Sequence, residues 1–269
     1  RLLLYGIAAR LSARPPEERP KVLVFGESLG AWASSDVIMH QGIGGFDHYG
    51  IDRALWIGLP GLAKWSRNGM AQGSNELVPE GTVQVFDHPG EIEALADEER
   101  DRLRAVILSH DNDPIAALSP EIAIQEPDWL KGEDRGRGVP PSMRWVPVIT
   151  LVQTMIDAAN AMVTVPGDFH SFGHDYRADT ARMVHAAYHL PPVTAEQMAK
   201  VEETLRALEL DRAARIKAKS ADDAPPAPTH KTDVAALAGV PLQTTRTRGA
   251  RWRESDLFAR LHRQEGTVQ

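Results

Sequence analysis

The segment from Gly26 to Gly30 reads Gly-Glu-Ser-Leu-Gly, which has the residue types of a nucleophilic serine site. It matches the pattern G-x-S-x-G and lies between an apolar run of strand length and a stretch with helical spacing, the setting of a nucleophile elbow. We expect the two glycines to avoid clashes around a strained Ser28, and the backbone N–H of Leu29 to be an oxyanion donor. The sequence therefore predicts Ser28 as the nucleophile, and an ordinary turn is the alternative.

A serine hydroxyl is a weak nucleophile, so this chemistry also needs a carboxylate and a histidine base, in the chain order Ser, acid, His. The apolar run at residues 106–108 leads into Asp111 and Asp113, and Pro114 follows. We favour Asp113 as the acid, because the Asp-Pro step would hold its carboxylate at a strand end, and Asp111 is the alternative. Both aspartates could instead only cap the following helix.

The histidine base is expected between the last predicted strand, residues 161–165, and the helix that follows it. His170 and His174 both lie in that interval. We favour His174, because the adjacent Gly173 lets the loop approach the serine. His170 is the alternative, since geometry rather than sequence position decides such a role.

The same loop contains residue types that ligate metals. His170 and His174 stand four residues apart, and Asp168 and Asp175 lie beside them. These side chains could hold zinc if the loop were helical, but its glycine steps argue against a helix. We therefore expect no metal ion and no cofactor.

Apolar runs of strand length alternate with helical segments through the first 190 residues. The predicted strands are residues 21–25, 53–57, 83–86, 104–108 and 161–165. The predicted helices are residues 2–11, 31–40, 91–103, 142–159 and 177–189. This alternation predicts an α/β fold with a mostly parallel sheet and helices on both faces, whose chemistry lies at the carboxyl ends of the strands.

The sequence changes character beyond residue 190. Residues 191–219 indicate a helical extension, and residues 220–269 indicate a linker followed by an Arg-rich flexible tail. Six arginines between Thr244 and Arg263 alternate with apolar side chains. The tail is therefore either solvated or an interfacial helix attracted to anionic lipid.

Overall charge and composition exclude several classes of protein. The 269 residues include 30 Lys and Arg against 37 Asp and Glu, a net charge of −7, which argues against nucleic acid as the main partner. The absence of cysteine excludes disulfides, thiolate nucleophiles and Cys-ligated zinc. The longest apolar runs are about half of the ~18–20 residues that a membrane helix needs, so we expect no span in this sequence.

Several motifs in a fixed order carry a resemblance to a known family. They are the elbow, Leu55-Trp-Ile-Gly-Leu-Pro60, Gly73-Ser74, Asp113-Pro114, Pro127-Asp-Trp-Leu130, Trp145-Val-Pro147 with Gln153 and Asp157, and Gly173-His-Asp-Tyr176. Over residues 1–190 they resemble the catalytic region of a bacterial family of predicted transmembrane α/β-hydrolases. The resemblance implies an α/β-hydrolase fold and a triad of Ser28, Asp113 and His174. It also implies a membrane location, through an upstream segment or the basic tail.

Relative to that fold, this sequence reaches its elbow early. The elbow of an α/β-hydrolase follows the fifth strand, whereas here only one predicted helix precedes it. We therefore expect a sheet without its first four strands and without the second oxyanion N–H, whose loss typically costs ~3 kcal/mol of transition-state stabilisation. This predicts weak activity and an exposed apolar edge strand at residues 22–25, which upstream sequence or a partner chain would cover.

These observations predict a serine hydrolase or acyltransferase that acts on carboxylic esters through an acyl-enzyme. A small-molecule or lipid-like ester is the expected substrate. The expected preference for a lipid rests on the resemblance to a family of predicted membrane proteins and on several aromatic residues. Aromatic residues of this kind more often lie in the hydrophobic core. Those residues are Trp32, Phe46, Trp56, Trp65 and Trp145. The alternative is a non-catalytic α/β-hydrolase-like interaction module.

Overall fold

The computed structural model describes residues 1–63, 78–132 and 135–222. It divides into two compact units, Arg1–Ala214 and Arg215–Gln269, and the described part of the second unit is the end of a helix. Three features of the sequence lie outside the described residues: Trp65, the Gly73-Ser74 motif, and the predicted tail beyond residue 222.

A four-stranded parallel sheet forms the centre of the first unit. Its strands are β1 (Leu23–Glu27), β2 (Arg53–Ile57), β3 (Val83–Phe86) and β4 (Ala105–Leu108), in the spatial order β1-β2-β4-β3. All four were predicted from apolar runs. Every residue of the central strand β4 is buried, which explains why its sequence is uninterrupted by polar residues.

Nine α-helices are found in the part of the chain that the structure describes. They are α1 (Leu2–Ser12), α2 (Leu29–Ile38), α3 (Gly44–Tyr49), α4 (Pro89–Glu93), α5 (Asp97–Arg102), α6 (Pro114–Ala117), α7 (Ile149–Asn160), α8 (Arg177–Ala187) and α9 (Ala195–Asp222). Within residues 1–63, 78–132 and 135–222, no helix combines the length and the hydropathy required to cross a membrane.

Two predicted helices differ from the structure by more than small shifts of their ends. The segment 91–103 divides into α4 and α5, because Ala96 is extended and its N–H donates to Glu99 Oε2, 3.1 Å away, at the start of a new helix. The segment 142–159 is helical only from Ile149. Val148 precedes it with φ at 64°, and Pro147 lacks the N–H that a helix interior needs.

The predicted strand at residues 161–165 is wrong. These residues form a turn and an extended loop, and Val163 is 80% exposed. The β-branched composition suits a strand, but a strand needs a hydrogen-bonded neighbour, and in the described sheet the place beside β4 is taken by β3. The loop before α8 therefore follows a helix rather than a strand.

Hydrophobic cores cover both faces of the sheet, as the alternation of strands and helices predicted. Successive residues of β2 point to opposite faces, so Trp56 packs in one core and Leu55 in the other. The first core includes Phe46 of α3, and the second includes Met183 of α8. Because Phe46 and Trp56 are fully buried, neither is available to a lipid.

Strand β1 is an edge of the sheet, since among the described strands it pairs only with β2. Phe25 on this edge is 49% exposed. The exposed apolar edge expected from the sequence is therefore present in this structure.

Candidate active site

Ser28 is the single residue between the end of β1 and the start of α2. Its φ and ψ are 50° and −115°, a backbone conformation that is costly for a residue other than glycine. Its N–H donates to the carbonyl oxygen of Ile57 over 2.8 Å, which ties the turn to the end of β2. The predicted strained turn is therefore present at Ser28, at the carboxyl end of the sheet.

The two glycines of the elbow differ in what they permit. A Cβ on Gly26 would lie 2.8 Å from the nitrogen of Ala31 and from the oxygen of Gly30, so only glycine lets α2 start this close to β1. A Cβ on Gly30 would meet no atom of the described residues within 4 Å. The steric role expected for Gly30 is therefore wrong, because its Cα faces open space.

Leu29 is the first residue of α2, so its N–H has no acceptor within the helix. That N–H lies at the positive end of the helix dipole, directly after Ser28. A negative charge that developed on a group bound to Ser28 would meet this end of the helix. The Leu29 side chain is 71% exposed.

Asp113 is fully buried in the loop between β4 and α6. Its Oδ1 atom accepts the N–H of Ile115 at 2.8 Å and caps α6. Its Oδ2 atom is 2.8 Å from His174 Nδ1 and also accepts the hydroxyl of Tyr176 at 2.6 Å. The same carboxylate therefore fills both roles considered from the sequence, the helix cap and the partner of a histidine.

The imidazole of His174 is mostly buried and lies against Gly58. A Cβ on Gly58 would come within 2.9 Å of His174 Cε1, so a side chain there would displace the ring. Gly58 directly follows Ile57, whose carbonyl accepts the N–H of Ser28. Because Nδ1 donates to the carboxylate of Asp113, the lone pair of the neutral ring is on Nε2.

The alternative residues have other partners. Asp111 Oδ2 accepts the N–H of Arg137 at 3.1 Å. His170 Nε2 lies 3.2 Å from Asp168 Oδ2, and its side chain is 41% exposed. Of the two candidate acids and two candidate bases, the structure therefore brings together Asp113 and His174.

The loop that carries both histidines is not a helix, since it contains an antiparallel bridge between Phe172 and Asp175. The described residues hold no group of three or more side chains of metal-ligating type with the spacing of a metal site. Asp175 instead binds Arg177. Burial would raise the pKa of Asp175, but its hydrogen bonds from Arg177 outweigh burial and lower the pKa.

Tyr176 is a site residue that sequence reasoning missed. Its buried hydroxyl donates to Asp113 and accepts the backbone N–H of His110 at 3.2 Å. Burial, followed by the charge of Asp113, raises its pKa well above the usual value, so the hydroxyl stays a donor at neutral pH. Its sequence signals were its place two residues after His174 and its position at the end of the Gly173–Tyr176 motif, and neither indicates contact with Asp113.

His110 and Asp179 were also missed. His110 Nε2 lies 3.0 Å from Asp179 Oδ2, and both side chains are buried. Burial would raise the pKa of Asp179, but hydrogen bonds from His110 and Ser171 outweigh it and lower the pKa. Asp179 lies in a helix rich in polar residues, so its sequence position gave no signal of burial.

Arg177 ties α9 to the loop that carries His174. Its guanidinium lies 2.7 Å from Asp175 Oδ2 and 2.5 Å from Glu209 Oε1 of α9, and it also donates to the carbonyl oxygen of Val165 at 3.1 Å. The helical extension predicted from the sequence is therefore in contact with the loop beside the site.

A model of a family described as an alpha/beta-hydrolase family matches residues 1–201 of this sequence. The matched range contains Ser28, Asp113 and His174 and all four strands. A search of curated proteins and a search of solved structures found no match.

Proposed function

The chain belongs to the alpha/beta-hydrolase family, and on that premise we propose that it cleaves carboxylic esters with Ser28 as nucleophile, His174 as base and Asp113 as the acid. Family membership supports a hydrolase. The observation that carries the finer proposal is the 2.8 Å contact between His174 Nδ1 and Asp113 Oδ2. The His174 ring lies against Gly58, and the preceding residue, Ile57, accepts the N–H of Ser28. A buried carboxylate on Nδ1 leaves Nε2 to accept a proton, which is the arrangement that activates a serine hydroxyl.

In the proposed reaction, Ser28 Oγ attacks the ester carbonyl carbon while His174 Nε2 takes the hydroxyl proton. The negative charge on the former carbonyl oxygen is stabilised by the Leu29 N–H and the dipole of α2. The intermediate collapses, the C–O bond to the alcohol breaks, and His174 returns the proton to the leaving alkoxide. Water then repeats the sequence on the acyl-enzyme and releases the acid, with the carboxylate of Asp113 stabilising the imidazolium each time.

We further propose that the acyl group is apolar and that the substrate is lipid-like. Leu29 directly follows the nucleophile and Phe172 lies two residues before the base, and both side chains are largely exposed. Exposed apolar side chains that adjoin the proposed nucleophile and the proposed base in the sequence suit a hydrocarbon chain better than a charged substrate. The same surface is compatible with the membrane location that the sequence resemblance implied.

A fluorophosphonate probe tests the proposal, because it reacts with activated serines. We expect the wild-type chain to be labelled, Ser28→Ala to lose the label and Ser12→Ala to keep it, since Ser12 is exposed on α1 and its hydroxyl donates to the carbonyl oxygen of Ala9 in the same helix. A wild-type chain that is folded by circular dichroism and stays unlabelled would contradict the enzyme and favour the non-catalytic module. A series of p-nitrophenyl esters of increasing chain length then tests the preference for an apolar acyl group.

A further inference from the structure

A second histidine–carboxylate pair is linked to the Asp113–His174 pair through Tyr176, whose hydroxyl contacts Asp113 and the backbone N–H of His110. His110 follows β4 and is 1% exposed, and Asp179 lies on α8 and is 7% exposed. Nothing in the proposed reaction uses either group. Two buried titratable side chains in contact are costly to keep, so their role needs a physical account.

Counting protons determines the charge of this pair. His110 Nδ1 faces the carbonyl oxygen of Gly173 at 2.9 Å, and Nε2 faces a carboxylate oxygen of Asp179 at 3.0 Å. Both of these oxygens are acceptors, so each of the two contacts needs its own proton to be a hydrogen bond. A neutral imidazole beside an ionised carboxylate has only one proton for the two contacts. The arrangement is therefore satisfied only when the ring and the carboxyl group hold two protons together.

The second proton belongs on the ring. The pKa of Asp179 is lowered, and its Oδ2 atom also accepts the hydroxyl of Ser171, which favours a carboxylate over a carboxylic acid. The pair is thus an imidazolium against a carboxylate. The imidazolium stacks on the ring of Tyr176, with centroids 4.1 Å apart and planes 19° apart.

The pair holds the segment that carries His174 at several points. Asp179 binds Ser171, His110 Nδ1 binds Gly173, and the N–H of His110 binds the hydroxyl of Tyr176. These contacts lie on both sides of His174 along the chain. Asn112 adds one more, since its Oδ1 accepts the N–H of Gly173 at 2.8 Å.

We infer that the doubly protonated His110–Asp179 pair positions His174 by anchoring residues 171–176, and that loss of one proton from the pair releases this anchor. The catalytic consequence rests on the proposed function, whereas the charge of the pair does not. When the pair loses a proton, either the contact to Gly173 or the contact to Asp179 is no longer a hydrogen bond. Raising the pH therefore loosens the loop on the side next to the base.

Charged and titratable groups on neighbouring elements also influence the charge of the His110–Asp179 pair. Asp179 faces the ring from α8, Tyr176 stacks on it, and Arg137 lies close enough to Asp179 to lower its pKa. Asp87 binds Arg137, and Asp113 is reached through the hydroxyl of Tyr176. Arg137 stabilises the carboxylate form of Asp179, which keeps the second proton on His110.

Nitrogen-15 NMR of the histidine rings in the wild-type 269-residue chain tests the charge directly, with or without enzymatic activity. We expect both ring nitrogens of His110 to be protonated at about neutral pH. His185 is the internal control, because it also contacts a backbone carbonyl but lies at the exposed end of the same helix as Asp179. A His110 ring that carries a single proton while the loop is in place would overturn the inference.

The variant Asp179→Asn separates the charge from the anchor. A carboxamide at position 179 can donate to Nε2 of a neutral His110 ring. That ring still carries a proton on Nδ1 for the carbonyl oxygen of Gly173, so both contacts of His110 remain hydrogen bonds although the ring is uncharged. We expect this variant to keep most of the kcat/KM of ester hydrolysis, to show the neutral Nδ1–H ring by NMR, and to lose the pH-dependent release. Asp179→Ala removes the anchor and is expected to lower kcat/KM about tenfold to 100-fold, the cost of misplacing a catalytic group by ~1 Å.

The pH profile distinguishes positioning from simple packing. We expect the alkaline loss of activity in the wild-type chain to be absent from Asp179→Asn over the same range and unchanged in His185→Gln. Identical profiles for the wild-type chain and Asp179→Asn would overturn the positioning role even if NMR finds the imidazolium. If the wild-type chain has no esterase activity, the proposed function fails, and the NMR result alone still decides the charge of the pair.

Discussion

His174 Nδ1 and Asp113 Oδ2 lie 2.8 Å apart although the two residues are 61 positions apart in the chain. One comes from the loop after β4 and the other from the loop before α8. Their contact occurs in an interior where Asp113 is fully buried, so the carboxylate interacts with the imidazole with little screening by water.

Replacing the carboxylate tests its role. Asp113→Asn keeps the shape of the side chain and its cap on α6, but a neutral amide cannot stabilise an imidazolium at His174. We expect kcat for a p-nitrophenyl ester to fall roughly 10³- to 10⁴-fold, the scale of effect when a triad aspartate is lost. Asp111→Asn is the matched control and should keep most of the activity, because that carboxylate contacts the N–H of Arg137.

The two histidines of the loop are distinguished by truncation. His174→Ala removes the proposed base and should abolish fluorophosphonate labelling of Ser28 on the timescale in which the wild-type chain reacts fully. His170→Ala removes a half-exposed ring paired with Asp168 and should leave labelling near the wild-type level. Loss of labelling in His170→Ala with a normal result for His174→Ala would reverse the assignment.

The elbow glycines give a prediction about stability. A Cβ at Gly26 would lie 2.8 Å from backbone atoms that cannot move independently of α2, so Gly26→Ala should lower the free energy of unfolding by about 1–3 kcal/mol or more. Gly30→Ala places its methyl group in open space, so the free energy of unfolding of this variant should lie within about 0.5 kcal/mol of the wild-type value. Urea denaturation at neutral pH measures both, and equal effects of the two substitutions would contradict the description of the turn.

The raised pKa of Tyr188 predicts how the stability of the fold changes at alkaline pH. Its hydroxyl donates to the carbonyl oxygen of Val24 at 2.6 Å, and burial raises its pKa to about 12, compared with about 10 in an unfolded chain. The folded state therefore holds the proton more tightly. Its contribution to stability is complete below about pH 10 and is lost as the pH rises towards 12.

Urea unfolding at a series of alkaline pH values measures this effect. We expect the free energy of unfolding of the wild-type chain to fall between about pH 10 and 12, and to fall less steeply in Tyr188→Phe. Tyr188→Phe keeps the buried ring and removes only the hydroxyl, so the difference between the two slopes reports the titration of Tyr188. An identical slope for Tyr188→Phe and the wild type would contradict the prediction.

The strands and the elbow were predictable because their signals are local. β1, β2, β3 and β4 are short apolar runs bounded by polar or glycine residues, and the turn at Ser28 needs only its immediate neighbours. The position of Asp113 at the start of α6 was predictable because the Asp-Pro step that caps this helix is itself a local motif. In each case the sequence within a few residues determines the backbone.

The features that sequence reasoning missed depend on contacts between distant segments. Residues 161–165 have the composition of a strand, but whether they pair is decided by β3, which the chain inserts beside β4. His110 and Asp179 are 69 positions apart in the chain, and the residues next to each of them in the sequence do not indicate the contact. Gly30 matched the G-x-S-x-G motif, but of its two glycines only Gly26 lies where an added Cβ would clash with the backbone.

The two oxygens of Asp113 have separate duties, one to begin α6 and the other to hold His174. A homologue that had lost the proposed activity would still need a side chain that caps α6 at that position. Selection for folding alone would therefore preserve Asp113. Ser28 has no such second duty, because its side chain makes no cap for α2 and its backbone is held in a costly conformation. If Ser28 is the nucleophile proposed above, substitution at position 28 among homologues would therefore mark the loss of catalysis sooner than any change at position 113.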